Sequence, residues 1–134
     1  MDFKNLDFLV DKKDLKVLEK ETKNIVEKIR YSIKKNRVKA DVFVGGSFAK
    51  GTLVRNDKYE IDIFVRFDKK YEDISDILEK IVKNLAMEMK KSIKKIHGSR
   101  DYFQIDYSDT ILFEIIPVLK IKNPKEAQNV TDLS

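Results

Sequence analysis

The stretch VGGSFAKGTLVRNDKYEIDIFV, residues 44–65, sets Glu60 and Asp62 inside an apolar run, and TILFEIIPVL, residues 110–119, sets Glu114 inside another. A carboxylate among apolar residues costs free energy on burial unless its charge is compensated. Three such acids brought together repel one another, and a hard divalent cation with oxygen ligands relieves that repulsion. Upstream of them, Gly45 and Gly46 let the backbone turn sharply and approach a ligand closely. Ser47 can open a short helix whose free amides and positive end suit a phosphate, and Lys50, one turn on, adds a point charge. A phosphate cradle followed by metal-binding carboxylates is the equipment of phosphoryl transfer.

Strand alternation decides which acids can meet. In a strand over 60–67, Glu60 and Asp62 project on one side, ~7 Å apart along the backbone, while Ile61, Ile63 and Val65 fill the other. Taken alone, Glu-Ile-Asp-Ile also reads as an ordinary solvent-facing alternation, and Gly-Gly-Ser as any tight turn. The third acid changes the weighing. Glu114 is preferred over Asp106 as its source, because the surroundings of Glu114 are far more apolar.

The elements that must position these residues follow from periodicity. Leu15, Leu18, Ile25, Ile29 and Ile33 fall at helical spacing and predict an amphipathic helix over 11–35. VKADVFV, 38–44, is a β-rich run leading into the glycines, and Ser47 caps a short helix over about 47–53. The strand 60–67 is followed by a second long helix over 73–91, with Ile74, Ile77, Leu78, Ile81, Leu85 and Met89 on one face. DYFQIDY and TILFEIIPVL, joined through Ser108-Asp109, predict a β-hairpin, and Asn123-Pro124 starts a final helix. Such mixing predicts an α/β or α+β domain with helices packed on a mixed sheet. The closing EAQNVTDLS carries no helix-ending signal, so the sequence reads as one domain, 1–134, cut from a longer protein.

Composition narrows the chemistry. A chain of 134 residues with 42% apolar content has room for a real core. It has no cysteine and one histidine, His97, which argues against disulfides, thiolate metal sites and a histidine triad. His97 itself reads as a surface or turn residue. No apolar stretch reaches the ~18–20 residues of a membrane span and no secretory signal is visible, so the expectation is a cytoplasmic protein with no membrane partner. The net charge of +5 fits an anionic partner such as nucleic acid, or simply a well-solvated surface. Lys90, Lys91, Lys94, Lys95 and Arg100 could touch an RNA backbone, but a solvated helix end with an edge strand explains them better. Core packing and cross-strand contacts explain Tyr102, Phe103 and Tyr107 better than base stacking does.

Gly45-Gly46-Ser47 with Ala49-Lys50-Gly51-Thr52, then Glu60-Ile61-Asp62-Ile63-Phe64, then Glu114-Ile115-Ile116-Pro117 resemble the polymerase-β-type nucleotidyltransferase superfamily. Within it the sequence is most similar to the catalytic head of archaeal tRNA CCA-adding enzymes, over roughly residues 40–130. The resemblance implies a roughly five-stranded mixed sheet with helices on one face, the polymerase-β palm-like fold. It also implies transfer of a nucleoside monophosphate from an NTP (ATP or CTP), with two Mg²⁺ ions for which Mn²⁺ can substitute. By position, Glu60 and Asp62 would hold both metals and Glu114 the one that activates the attacking hydroxyl. Gly45, Gly46 and Ser47 would grip the triphosphate, with Lys50 and Thr52 as weaker candidates. The implied acceptor is an RNA 3′ end, tRNA-like, with further domains or a partner chain to hold it. Lys50 stands where an arginine is common, and Glu114 where an aspartate is. Two other readings stay open: a nucleotide- or RNA-binding module without turnover, and a minimal nucleotidyltransferase that modifies a partner protein.

Overall fold

Each element forms because one stripe or face of it is apolar. In the computed structural model, residues 12–45, 53–55, 58–98 and 100–120 are described. Helix α1, Lys12–Lys35, buries Leu18, Ile25, Val26, Ile29 and Ile33 at helical spacing, and carries Asp14 in its first turn and Lys34 and Lys35 in its last, which suits the helix dipole. Helix α2, Ile74–Met89, buries Ile74, Leu78, Ile81, Val82, Leu85 and Ala86. It ends on Lys90, left-handed at φ 57°, whose N–H reaches back to the carbonyls of Ala86 and Met87.

Six strands make one mixed sheet: β1 Ala40–Val44, β2 Leu53–Arg55, β3 Lys58–Phe67, β4 Ser92–Ile96, β5 Tyr102–Asp106 and β6 Ile111–Leu119. The main path is β1-β3-β6-β5-β4, five strands across, as expected, and β2 is a short sixth strand beside β3. Only β3 and β6 run parallel; every other pair is antiparallel. The predicted hairpin is the β5–β6 pair, and the lysine-rich run forms edge strand β4.

The sequence did not mark β2, and Leu53, expected to end a short helix, belongs to this strand. The rest of that expected helix, residues 47–52, and the helix expected from Asn123 lie outside the described residues. Strand β2 pairs Leu53 with Glu60, while β1 pairs Val44 with Ile63. The chain therefore leaves β3 at Gly45 and rejoins the same edge of β3 at Leu53.

The two sheet faces differ. Ile61, Ile63, Val65 and Phe67 of β3, Phe103 and Ile105 of β5, and Phe113 and Ile115 of β6 are all buried with the helices in a single core. Burying each such side chain contributes ~1.5–3 kcal/mol, which is what fixes the register. Tyr107 closes one end of this core: its ring meets Phe113 edge-on at 5.1 Å, and its hydroxyl donates to the Glu21 carboxylate of α1. The helices cover that face, and alternation sends Glu60, Asp62, Phe64 and Glu114 to the opposite one.

Candidate active site

The acids stand on the two central strands. Asp62 lies directly across from Glu114 in the parallel β3–β6 ladder, so their backbones are ~4.8 Å apart and their side chains share a face. The two carboxyls are hydrogen-bonded to each other. Glu60, one alternation away on β3, is 8% exposed and sits opposite Leu112. Asp106 occupies the same row but beyond Leu112, two strands from Glu60, and is exposed. Glu114 is therefore the third acid that the sheet brings to the pair, and Asp106 is not.

The electrostatics of the group are one-sided. Burial, then the hydrogen bond and negative charge of Glu114, then the charge of Glu60, raise the Asp62 carboxyl from 3.8 to about 6. Every cause pushes in the same direction, toward a proton held between acids.

On the other flank of Glu114, the Gln104 amide donates to Oε2 at 2.9 Å. Gly45 completes the line: its N–H donates to the Asp62 carbonyl at 2.9 Å. Reading across the sheet, one row runs Gly45, Asp62, Glu114, Gln104, Lys94. The next row is apolar, with Phe43 stacked on Phe64 at 5.3 Å and Ile116 and Tyr102 following.

At Gly45 the structure adds a packing contact to the ligand approach that the sequence suggested. The Gly45 backbone stays outside the left-handed region, but a Cβ there would run into the Phe64 ring. The Phe64 ring lies over the glycine. Gly46, Ser47, Lys50 and Thr52, the other expected phosphate contacts, lie outside the described residues. His97 is an exposed residue beside Asp101, at 3.2 Å, far along the edge strand from the acids.

The donor set suits a divalent cation in a particular way. Among the described residues, no three His, Asp or Glu side chains are gathered as a ready-made cation cage. Magnesium keeps several waters and takes one or two carboxylates plus substrate phosphates, rather than an all-protein cage. A close pair of hard oxygen donors on the face opposite the two described helices fits that requirement.

Gln104 escaped sequence reasoning. Its alternation with Phe103 and Ile105 was visible, but its neighbour is set by the β5–β6 register.

Among the described residues, the five-strand path, the parallel β3–β6 pair at its centre and the acids on the face opposite the helices make a polymerase-β-type nucleotidyltransferase fold. Residues 3–133 match the Second Messenger Oligonucleotide or Dinucleotide Synthetase domain, and the chain belongs to that family. The chain is similar to the CCA-adding enzyme of Nanoarchaeum equitans strain Kin4-M, with 50% identity over 96 residues, 70% of this chain and 22% of that enzyme. The CCA-adding enzyme of Methanocaldococcus jannaschii is 32% identical over 120 residues, 82% of this chain and 25% of that enzyme. The chain thus spans about a quarter of the length of these curated relatives.

Two solved structures share the fold. One is Cid1, described for its RNA terminal uridylyl transferase activity, with a TM-score of 0.56 and 16% identity over 98% of this chain and 39% of that one. The other is a mutant of the Cid1 poly(U) polymerase bound to MgATP, with a TM-score of 0.58 and 17% identity over 98% of this chain and 40% of that one.

Proposed function

We propose that the intact protein is a metal-dependent nucleotidyltransferase that moves a nucleoside monophosphate from ATP or CTP to the 3′ hydroxyl of a tRNA-like RNA. The observation that carries this reading is the hydrogen-bonded Asp62–Glu114 pair, set across the one parallel ladder beside Gly45. The identity of 50% with a CCA-adding enzyme supports the choice of acceptor.

In the reaction the acceptor hydroxyl releases its proton to water as its oxygen attacks the α-phosphorus, and the bond to the bridging oxygen breaks, so pyrophosphate leaves with the electron pair. Two Mg²⁺ ions, replaceable by Mn²⁺, supply Lewis acidity that activates the acceptor hydroxyl and screens the leaving pyrophosphate. Glu60, Asp62 and Glu114 would hold these ions. Asp62 and Glu114 give up the proton between them as they take up this role. Gly45 is hydrogen-bonded to the Asp62 carbonyl, and in this reading the amides of Gly46 and Ser47, with Lys50 and Thr52, would receive the triphosphate. Residues 1–134 act as one catalytic domain, and further domains or a partner chain hold the RNA. Among the described residues no helix is long and apolar enough to cross a membrane, which suits work on RNA in the cytoplasm.

A second reading is favoured by the family match over residues 3–133: the acceptor hydroxyl belongs to another nucleotide, and the product is an oligonucleotide or dinucleotide. One assay separates the two. The intact protein is incubated with Mg²⁺ and labelled ATP or CTP, with and without a tRNA transcript lacking its 3′ end. Label on the RNA supports the first reading, and RNA-independent labelled oligonucleotides support the second. Neither product, with no pyrophosphate released, refutes both and leaves a binding module.

A further inference from the structure

We infer that Gln104 is a positioning residue that holds the Glu114 carboxylate toward Asp62. The inference rests on the metal-site reading of the proposed function and deepens it. Gln104 is directly across from Glu114 in the β5–β6 ladder, and its amide donates to Glu114 Oε2 at 2.9 Å. On the opposite flank Glu114 is hydrogen-bonded to Asp62. The carboxylate is therefore held from both sides in one row of the sheet.

The residue type fits the task. Glutamate has a long, mobile side chain, and a single backbone position leaves its carboxylate free to swing away from β3. A hydrogen bond from the next strand removes that freedom. A neutral donor does so without adding charge: a lysine or arginine at 104 would neutralise the acid, and a glutamate would add a further negative charge. The amide also occupies one oxygen and leaves lone pairs on the other for an incoming cation. Gln104 is half-buried between Glu114 and Lys94, so the amide sits within the row of the acids and not at the rim of the sheet.

The test is a set of Mn²⁺ titrations on the intact protein, in the presence of a non-hydrolysable ATP analogue, for the wild type, Gln104→Met, Glu114→Gln and the double variant. Methionine keeps the length and removes the donor, and Gln104→Leu replaces it should the methionine variant fail to fold. The expected result is ~10–100-fold weaker binding of one Mn²⁺ in Gln104→Met, as for other residues that orient metal ligands. The double variant should bind no more weakly than Glu114→Gln alone, because the amide acts only through that carboxylate. Wild-type Mn²⁺ affinity in Gln104→Met, or losses that multiply in the double variant, would overturn the positioning role. Failure of the wild type itself to bind Mn²⁺ would overturn the metal-site reading and the inference together.

Discussion

The two faces of the sheet each hold a group of acids, and the two groups are built in opposite ways. Toward the helices, Glu79 of α2 lies 2.8 Å from Lys83 and 2.9 Å from Lys95, and Lys95 also reaches Asp101 at 3.7 Å. Hydrogen bonds from Lys83 and then Lys95 lower the Glu79 carboxyl to about 2. On the opposite face, burial and neighbouring acids raise Asp62 to about 6. The same functional group is pushed in opposite directions, because Glu79 is hydrogen-bonded by lysines while Asp62 is buried beside Glu114 and Glu60. A network that neutralises itself ties strand to helix. A carboxyl pair whose acids raise one another's affinity for a proton is also suited to share a cation.

The largest consequence concerns Asp62→Asn. In the assay with labelled NTP this change should lower transfer by about 10³-fold or more, since Lewis-acid stabilisation of several kcal/mol is lost and each 1.36 kcal/mol is tenfold. The metal-free chain should fold at least as well as before. A variant that transfers normally would place Asp62 with Glu79, as a merely structural acid.

A smaller effect separates the two groups by pH. Asp62 titrates higher in the folded chain, about 6, than its ordinary 3.8, so the folded state takes up a proton that the unfolded state does not hold. Its contribution is fully present below pH 3.8 and is lost as pH rises through 6. Urea unfolding of the metal-free chain between pH 4 and 6 should show a loss of about 1–2 kcal/mol, once solvent screening is allowed for, and Asp62→Asn should flatten that slope. Glu79 has the opposite sign: its contribution is present above pH 4.5 and is lost as pH falls through about 2. Glu79→Gln should flatten only this acid limb.

The smallest effect is that of Glu79→Gln at neutral pH. The pair it breaks is on the surface, so stability should drop slightly, and transfer and Mn²⁺ binding should stay as in the wild type. A large loss of transfer in this variant would erase the contrast between the two groups.

What could be read in the sequence follows how local each feature is. The shared face of Glu60 and Asp62 is two residues of alternation, and the helices are runs of apolar spacing; both were legible. Glu114 required a guess that 110–119 neighbours 60–67, and the guess rested on the cost of an acid inside an apolar strand. The parallel β3–β6 register places it beside Asp62. Gln104 as its neighbour, β2 as a strand and the Phe64 ring over Gly45 were not legible. Each depends on which strands pair and in what register, which is a property of the whole sheet.

The central claim is that Asp62 and Glu114 together form a cation socket on the face opposite the described helices. Anomalous scattering from crystals grown with Mn²⁺ and a non-hydrolysable ATP analogue tests it most directly. The account predicts a peak with oxygens of both carboxylates among its ligands and the analogue's phosphates completing the shell, at the short distances of ~2.0–2.2 Å usual for such ions. An ion and nucleotide bound elsewhere, with the two carboxyls still hydrogen-bonded to each other, would contradict it.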